Sequence, residues 1–266
     1  MPAILDAHGL CKRFGAVTAA QDVSAMIDKD SVVGLIGTNG AGKTTFINMI
    51  TGYLKPDAGT ITYEGRDITP LAPREITRLG ICRSFQIPQL YSSLSVRENM
   101  MVGLGIVLAN AGHGGFFSRG GIWDTRPVPG YGEPASQVAE QILARYGLAE
   151  YGERNAQVLP GGVRKLLDIA LTMVARPRVL LLDEPTSGVS AQEKFGIMQM
   201  VLDAVRAEGT TVLFVEHDME VVSRFAQRVL AFYDGRIIAD ATPEIALADP
   251  EVRRHVVGRL KANDHA

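Results

Sequence analysis

One short segment, GTNGAGKTT at residues 37–45, has the residue types that bind the phosphate chain of a nucleotide. Its spacing fits GxxxxGK[ST], and it stands between a predicted strand and a predicted helix. Glycines let backbone N–H groups close around phosphate oxygens, and a helix start adds positive potential. Lys43 supplies a charge to the β- and γ-phosphates, and Thr44 supplies a hydroxyl to Mg²⁺. We predict a nucleotide site here, because a plain glycine-rich turn would not require Lys followed by Thr.

An acidic pair follows a second apolar segment, VLLLDE at residues 179–184. A strand that ends in Asp beside a phosphate loop suits Mg²⁺, because this hard cation prefers carboxylate and water oxygens. If the extended geometry continues, Glu184 points away from Asp183. Asp183 would then serve the metal and Glu184 would act as general base for water. The alternative is a solvated acidic pair that caps a strand, and the phosphate loop makes this alternative the weaker one.

Two further polar residues are weaker candidates when each is considered alone. His217 ends a third apolar segment, TTVLFVE, at the predicted edge of the sheet that also carries the phosphate loop and the acidic pair. This position favours a catalytic His over a structural one. Gln86, in RSFQIPQL, gives a weak signal, because Gln is common at protein surfaces.

Short apolar segments predict the elements that position these residues. Residues 31–37, 179–182 and 210–216 are rich in Val and Leu without polar alternation, which indicates parallel strands buried on both faces. In each case the polar residues follow the strand, where open α/β sheets bind ligands. Residues 60–68 and 229–238 alternate around Glu-Gly and Asp-Gly turns, so we interpret them as hairpins of a small antiparallel sheet beside the main one.

The middle of the chain has a helical pattern interrupted by an irregular part. Residues 96–111 and 136–146 predict helices. Between them, residues 112–134 are rich in Gly and Pro and hold the only Trp, which indicates a long loop that is either functional or mobile. Further on, residues 159–170, LPGGVRKLLDIA, predict a turn and then a helix with Arg164 in its first turn.

Composition limits the class of protein and its partners. The 266 residues are 46% hydrophobic and 21% charged, with a net charge of −2, which predicts a globular chain without overall attraction to nucleic acid or anionic membranes. The two cysteines form no disulfide framework or zinc spacing, so a reduced, cytosolic setting fits best. The N-terminus lacks a signal-peptide pattern. The longest apolar segment, residues 100–109, is shorter than the roughly 20 residues that cross a bilayer, so a membrane role would need another anchor.

In their order along the chain, these motifs resemble the ATP-binding subunit of ABC transporters. The matching pieces are GTNGAGKTT, Gln86, LPGGVRK, LLLDEPTSG and VEHD. The segments LIGTNGAGKTTFINMITGYLKPDAGTI and RLGICRSFQIPQLYSSLSVREN are similar to the branched-chain amino-acid importer subgroup, as is the tail GRIIADATPEIALADPEVRRHVVG. The resemblance implies an α/β P-loop NTPase fold, with a RecA-like parallel-sheet core, a small antiparallel β subdomain and a helical subdomain. The implied parts are a nucleotide-binding core at residues 1–88 and 159–240, a helical subdomain at 89–158 with the loop 112–134, and a C-terminal helical tail at 241–266.

The resemblance also implies roles by position. Phe14 matches the aromatic residue that stacks on adenine, with a core Phe of a small sheet as the alternative. Asp183 would hold Mg²⁺ through water, Glu184 would activate the attacking water, and His217 would contact the γ-phosphate and orient that water. Gln86 would sense the γ-phosphate and Mg²⁺ and lead into the segment that touches the membrane subunit. The residues implied to wrap the phosphates are Asn39, Gly40, Ala41, Gly42, Lys43, Thr44 and Thr45.

Two positions depart from the family pattern. The signature segment, usually LSGGQ, reads LPGGV at residues 159–163, and it would contact the nucleotide of a partner subunit through Pro160, Gly161 and Gly162. Without the serine hydroxyl one charge-assisted hydrogen bond is lost, worth about 1.5–3 kcal/mol. Pro nevertheless suits the first position of a helix, the glycines still let N–H groups approach an anion, and Arg164 adds charge, so we expect ATP binding. Ser190 stands where the family has Asp or Asn in its interface loop.

The resemblance implies an ATPase at the cytoplasmic face of the inner membrane that energises uptake of a small solute, with branched-chain or related amino acids as the expected solutes. The implied partners are a second ATP-binding subunit, identical or homologous, two transmembrane permease subunits and, indirectly, an extracytoplasmic solute-binding protein. Three alternatives stay open: an exporter subunit, a weakly hydrolysing regulatory module, and a soluble ABC ATPase of translation or DNA maintenance. The last class usually has two such domains or a long coiled-coil insertion, and the charge gives no sign of nucleic-acid binding.

Overall fold

A computed structural model of the chain describes residues 3–84, 89–110 and 127–258. The contacts divide the chain into two compact units. The first unit comprises Met1–Arg83, Arg178–Pro185 and Gly209–Ala266, and the second comprises Ser84–Pro177 and Thr186–Glu208.

All the named strands belong to the first unit, where they form two sheets. In chain order they are β1 (Ala3–Phe14), β2 (Val17–Asp28), β3 (Val32–Gly37), β4 (Ala58–Tyr63), β5 (Arg66–Asp67), β6 (Ile81–Arg83), β7 (Val179–Asp183), β8 (Thr211–Val215), β9 (Arg228–Tyr233) and β10 (Arg236–Ala241). The larger sheet has the order β10-β9-β3-β8-β7-β6 and is parallel except for β10, whereas β2-β1-β4-β5 form an antiparallel sheet.

The helices are divided between the two units. In chain order they are α1 (Lys43–Ile50), α2 (Pro73–Arg78), α3 (Val96–Asn110), α4 (Ala135–Arg145), α5 (Gly161–Met173), α6 (Lys194–Ala207), α7 (Met219–Phe225), α8 (Pro243–Ala248) and α9 (Pro250–Val252), which continues into a π-helical turn, Arg253–Val257. Short 3₁₀ turns occur at Ala149–Tyr151 and Ala156–Val158. Helices α3 to α6 lie in the second unit. Within the described residues, none of the helices is long and apolar enough to span a membrane.

The three apolar segments form the centre of the parallel sheet, as predicted. Every residue of β3, β7 and β8 is buried, because each strand is covered on both faces. Across these strands Leu35 lies opposite Val215, which lies opposite Asp183. The carboxyl ends of the strands therefore meet at one edge of the sheet, where the polar residues that follow them are brought together.

The hairpin at residues 229–238 forms as predicted, but its predicted place in the small sheet is wrong. Its first strand, β9, pairs in parallel with β3 and therefore belongs to the main sheet. The small sheet instead contains β1 and β2, which the sequence analysis did not identify. The burial pattern of β1 is irregular, and the apolar but exposed Met26 conceals the alternation of β2 in the sequence. The small sheet, α1 and the main sheet share one buried cluster, in which Phe46 of α1 packs 5.5 Å from Phe232 of β9 between ring centroids.

The second unit is helical, and it extends beyond the predicted helical subdomain at residues 89–158. The unit also contains α5 and α6, because α5 packs against both α3 and α6. Part of the predicted loop 112–134 is ordered within this unit: Val128 is fully buried, and the Tyr131 hydroxyl donates to the carbonyl oxygen of Val174 over 3.2 Å. Residues 112–126 lie outside the described residues, and the partition of the chain by role stays a prediction.

Candidate functional site

The loop between β3 and α1 requires glycine for two physical reasons. The first is conformation: φ is +151° at Gly37, +79° at Gly40 and +109° at Gly42, a range that side-chain-bearing residues rarely adopt. The second is space: an added Cβ would lie 2.5 Å from the carbonyl oxygen of Phe232 at Gly37, and 2.7 Å from that of Ala19 at Gly42. The loop is therefore held against β9 and β2 in a conformation that the glycines permit.

Helix α1 begins at Lys43, and its N-cap residue, Gly42, has no side chain to cap it. The N–H groups of a first helical turn have no acceptor within the helix, so this start offers donors and positive potential to an anion. Along the predicted phosphate-binding segment the exposed residues are Asn39, Gly40 and Thr44, the half-buried residue is Thr45, and the buried residues are Ala41, Gly42 and Lys43.

The Lys43 ammonium group is folded into the loop. Its Nζ donates to the carbonyl oxygens of Gly37, over 2.6 Å, and Thr38, over 3.0 Å. Burial lowers the pKa of Lys43 to about 8, while the nearby carboxylates of Glu184 and Asp183 act to raise it. Phosphate oxygens are stronger acceptors for an ammonium than carbonyl groups, so a bound phosphate would take over these hydrogen bonds.

Asp183 ends β7 and is held by an arginine that the sequence analysis missed. The Asp183 Oδ2 accepts from Arg83 Nη2 over 2.6 Å, and Arg83 Nη1 donates to Asn48 Oδ1 over 2.6 Å. The side chains of Arg83 and Asp183 are 10% and 12% exposed, so this is a nearly buried ion pair. The available signal was Arg83 at the end of β6, because a charged residue after an apolar strand lies at the same sheet edge as Asp183.

Glu184 is turned away from Asp183 by a left-handed backbone, not by the continued extended geometry that the sequence analysis assumed. That assumption is wrong: φ is +47° at Glu184, and its N–H donates to the carbonyl oxygen of Val215 over 3.1 Å. The Glu184 Oε1 lies 3.1 Å from His217 Nε2. The two neighbouring carboxylates therefore have different partners, a guanidinium at Asp183 and an imidazole at Glu184.

A third acidic residue beside the site, Glu216, was also missed. It is 4% exposed, and its Oε2 accepts from the backbone N–H of His217 over 3.3 Å. Its own N–H donates to the carbonyl oxygen of Leu35 over 3.3 Å. Glu216 thus fixes the backbone of His217 against β3. The available signal in the sequence was an acidic residue directly before His217, at the end of an apolar strand.

Phe14 and Gln86 are predicted residues of the same motif set. Phe14 ends β1 with 51% of its surface exposed, and Lys12 Nζ lies 5.9 Å from the centre of its ring. This exposure excludes the alternative of a core Phe and leaves the ring accessible for stacking. Gln86 lies outside the described residues, so its predicted role stays a prediction.

In the second unit, Pro160 is the N-cap of α5, with φ −54° and ψ 152°. The expectation that it occupies the first helical position is wrong by one residue, since the helix begins at Gly161 and the Pro160 carbonyl accepts from the N–H of Arg164 over 3.0 Å. Gly161 and Gly162 adopt helical geometry, and their lack of a side chain serves packing. An added Cβ at either residue would lie 3.1 Å from its nearest neighbour, the carbonyl oxygen of Gly188 or the Cδ1 of Ile197.

The departure at Ser190 has a local explanation. The Ser190 hydroxyl donates to Glu193 Oε2 over 2.6 Å and accepts from the N–H of Glu193 over 3.3 Å, just before α6 begins at Lys194. The hydroxyl thus links residue 190 to Glu193, which is the N-cap of α6. An Asp side chain at this position could accept the Glu193 N–H but could not donate to the Glu193 carboxylate.

The first unit therefore brings together the phosphate loop, Asp183, Glu184 and His217, at the carboxyl ends of β3, β7 and β8. A glycine loop with an inward-folded Lys, near two carboxylates that follow another parallel strand of the same sheet, defines the class of P-loop nucleotide-binding proteins.

Comparison with known proteins then identifies the family. Residues 20–187 match the family described as ABC transporter. The High-affinity branched-chain amino acid transport ATP-binding protein LivG of Salmonella typhimurium is 35% identical over 255 residues, 96% of this chain and 98% of that protein. BraF of Pseudomonas aeruginosa, a protein with the same description, is 32% identical with the same coverage. The chain belongs to the ABC transporter family.

Solved structures agree with this assignment. MJ1267, an ATP-binding cassette of an ABC transporter in its ADP conformation, superposes with a TM-score of 0.78 at 30% identity, covering 96% of this chain and 98% of that one. A nucleotide-free ATP-binding cassette from an ABC transporter superposes with a TM-score of 0.78 at 31% identity, covering 95% and 98%. The predicted fold class is confirmed: an α/β P-loop NTPase with a small antiparallel sheet and a helical part.

Proposed function

We propose that the chain is the ATP-binding and ATP-hydrolysing subunit of an importer for branched-chain or related amino acids. The observation that carries the enzymatic part is the 3.1 Å contact of Glu184 with His217 beside the phosphate loop. The solute is suggested by 32–35% identity over 96% of the chain to LivG and BraF. The proposed partners are a second ATP-binding subunit and two permeases, with a solute-binding protein acting indirectly. We place the subunit peripherally at the cytoplasmic face of the inner membrane.

ATP binding would begin at the phosphate loop. The start of α1 and the glycine loop present N–H groups to the β- and γ-phosphates, and Lys43 exchanges its two carbonyl acceptors for phosphate oxygens. The ring of Phe14 is 51% exposed and would stack on adenine. At the start of α5, Gly161 and Gly162 would donate backbone N–H groups to the γ-phosphate of the nucleotide held by the partner subunit, with Pro160, which has no N–H, beside it.

Mg²⁺ fits the oxygen donors of the site. The proposed ligands are the Thr44 hydroxyl, the Gln86 side chain and, through water, the Asp183 carboxylate, which are the hard donors this cation prefers. Over residues 3–84, 89–110 and 127–258, no group of three or more His, Cys, Asp or Glu side chains is arranged to hold a metal alone. A cation here would therefore share phosphate oxygens with the protein, and it would neutralise charge on the phosphates during transfer.

Hydrolysis would use Glu184 as general base. Its carboxylate accepts a proton from a water molecule as the water oxygen forms a bond to the γ-phosphorus and the bond to the ADP oxygen breaks. His217 contacts the same carboxylate over 3.1 Å, which holds it in a fixed direction. In the proposed complex the imidazole would also contact the γ-phosphate. The backbone of His217 is itself fixed by Glu216, so the pair is preorganised.

The test is ATP turnover by the purified protein and its Glu184→Gln variant. Loss of a general base lowers the rate by roughly 100-fold or more, while the affinity for ATP is retained. Glu64→Gln, at an exposed pair with Arg178, is the matched control and should leave turnover unchanged. Equal rates for the wild-type protein and Glu184→Gln would contradict the enzymatic proposal and favour the regulatory alternative.

The direction of transport and the solute need a separate experiment. The subunit is co-purified with its permeases from membranes, identified by mass spectrometry and reconstituted in vesicles with ATP on the side of this subunit. Radiolabelled leucine should accumulate on that side when the solute-binding protein is present on the other. Movement of solute away from the ATP side would support the exporter alternative.

A further inference from the structure

Arg83 joins two parts of the proposed ATP site that lie 35 and 100 residues away from it in sequence. One branch of its guanidinium donates to Asn48 in α1, the helix that carries the phosphate loop, and the other donates to Asp183 at the end of β7. Both distances are 2.6 Å. The guanidinium therefore occupies an oxygen of the carboxylate that the proposed function assigns to Mg²⁺.

The charge balance of this region indicates what this contact does. Asp183 and Glu184 are adjacent carboxylates, and both act to raise the pKa of Lys43. Arg83 adds a second cation that stays protonated at any working pH. Because the pair is nearly buried, its attraction is weakly screened, and removing the arginine would take away a cation in direct contact with the Asp183 carboxylate. A divalent cation that approaches Asp183 must therefore displace, or share the carboxylate with, a guanidinium already bound there.

We propose that Arg83 is a positioning residue that holds the Asp183 carboxylate and competes with Mg²⁺ for it, so that Arg83 sets the Mg²⁺ concentration at which nucleotide binds. The inference rests on the proposed function of the site. When the cation and nucleotide enter, the hydrogen bond to Asp183 is weakened, while the bond to Asn48 keeps the guanidinium attached to α1. Arg83 thereby also balances the charge of the Asp183 carboxylate when the nucleotide arrives without a metal ion.

The alternative is that Arg83 is a structural link between β6, β7 and α1 with no influence on the metal. The two interpretations differ in the Mg²⁺ dependence of nucleotide binding. A structural link affects stability and leaves that dependence unchanged, whereas a competitor shifts it in a defined direction.

The experiment measures the affinity of the fluorescent analogue mant-ATP over a series of free Mg²⁺ concentrations, starting in EDTA. Arg83→Gln keeps hydrogen-bonding capacity but removes the charge. We expect its Mg²⁺ midpoint to fall about tenfold, since one charge-assisted contact is worth about a factor of ten or more in an equilibrium. Metal-free mant-ATP should bind more weakly to this variant, because one positive charge is lost. Arg178→Gln removes an equal charge at the exposed pair with Glu64, and it should shift neither quantity.

A measurement on the unmodified protein covers the case in which Arg83→Gln fails to fold. The guanidinium NMR signals of Arg83, assigned by their loss in Arg83→Lys, should change on addition of Mg²⁺ with ATP. They should stay nearly unchanged with ATP in EDTA. Equal responses under the two conditions would overturn the inference, as would an unchanged or raised Mg²⁺ midpoint in a folded Arg83→Gln variant.

The two proposals fail in different ways. If the wild-type protein binds no mant-ATP at any Mg²⁺ concentration, the proposed function itself is contradicted. If it binds mant-ATP with a Mg²⁺ dependence that Arg83→Gln does not shift, only the role of Arg83 is contradicted.

Discussion

The starts of α1 and α5 are both glycine-bearing helix N-termini, and they use glycine for different reasons. At α1 the N-cap Gly42 has φ +109°, a left-handed value that almost only glycine tolerates. At α5 the N-cap is Pro160 with an ordinary φ of −54°, and Gly161 and Gly162 lie in regular helix. Because these two glycines have no side chain, Gly188 and Ile197 can pack closely against them. The same residue type thus shapes a loop in one place and permits packing in the other.

The two helix starts also differ in where they place positive charge. Lys43 is 5% exposed, with its ammonium group folded into the loop, whereas Arg164 is exposed on the first turn of α5. A charge inside the loop is preorganised for a bound phosphate. The charge at α5 acts through solvent and is screened by salt.

The sharpest test of this comparison is the removal of the cation at each start. Lys43→Ala should weaken ATP binding about 100-fold, since two charge-assisted hydrogen bonds to phosphate are lost. ATP-dependent closure of a dimer should be lost with it. Arg164→Ala should change the affinity less than threefold, because a solvent-exposed charge contributes little. Calorimetric titration with ATP and Mg²⁺ measures the affinity of each variant. Comparable losses of affinity for Lys43→Ala and Arg164→Ala would contradict the proposed difference between the two helix starts.

The next effect concerns the glycines themselves. Gly42→Ala should lower the free energy of unfolding by about 3 kcal/mol, because the new side chain meets both an unfavourable φ and the carbonyl oxygen of Ala19. At Gly40 the φ of +79° is also unfavourable for alanine, but the space around it is open. Gly40→Ala should therefore lower the free energy of unfolding by only about 1 kcal/mol.

Gly161→Ala is the matched variant at α5. Its helical propensity improves by about 1 kcal/mol, which offsets the tight contact with Gly188, so stability should stay nearly constant. Urea denaturation of Gly42→Ala, Gly40→Ala and Gly161→Ala measures the three losses in the free energy of unfolding and gives their order. A Gly161→Ala loss as large as that of Gly42→Ala would show that the start of α5 is also set by backbone conformation.

The pH dependence of ATP binding should distinguish the two starts further. Burial lowers the pKa of Lys43 to about 8 in the nucleotide-free protein, and bound phosphate would raise it. Above pH 8 the free protein has lost this proton and the complex retains it, so binding takes up a proton. The affinity should therefore fall by up to tenfold per pH unit above 8. Calorimetry at pH 8.5 in two buffers of different ionisation enthalpy measures this uptake, which Arg164→Ala should preserve and Lys43→Ala should abolish.

The parts of the molecule that the sequence predicted are those whose signal is local. The strands β3, β7 and β8 were identifiable because each is an apolar segment buried on both faces. The strands β1 and β2 were not, because the burial of β1 is irregular and the exposed Met26 conceals the alternation of β2. The parallel pairing of β9 with β3 could not be predicted from the local sequence either, since a hairpin pattern does not specify a partner strand almost 200 residues away.

The same limit applies to the candidate site. Lys43, Asp183 and His217 each follow an apolar strand and carry a motif, so their types and positions were readable. The contact of Arg83 with Asp183 joins residues 100 positions apart, and the sharp turn at Glu184 depends on a backbone conformation that its residue type disfavours. Both are consequences of tertiary structure, which the sequence pattern alone does not encode.

The smallest expected effect concerns the polar groups absent from the start of α5. Pro160→Ser with Val163→Gln should raise ATP turnover by roughly tenfold if the missing hydroxyl and amide limit the γ-phosphate contact, since one charge-assisted bond is worth about 1.5 kcal/mol or more. Ser is also a better N-cap than Pro, so Pro160→Ser alone should stabilise α5 by about 0.5–1 kcal/mol with or without nucleotide. Turnover and urea denaturation, measured on the single and double variants, separate the two effects. A gain in stability without a gain in turnover would show that the helix start and its two glycines suffice for the γ-phosphate, and that the serine of the usual signature would act here only as a cap.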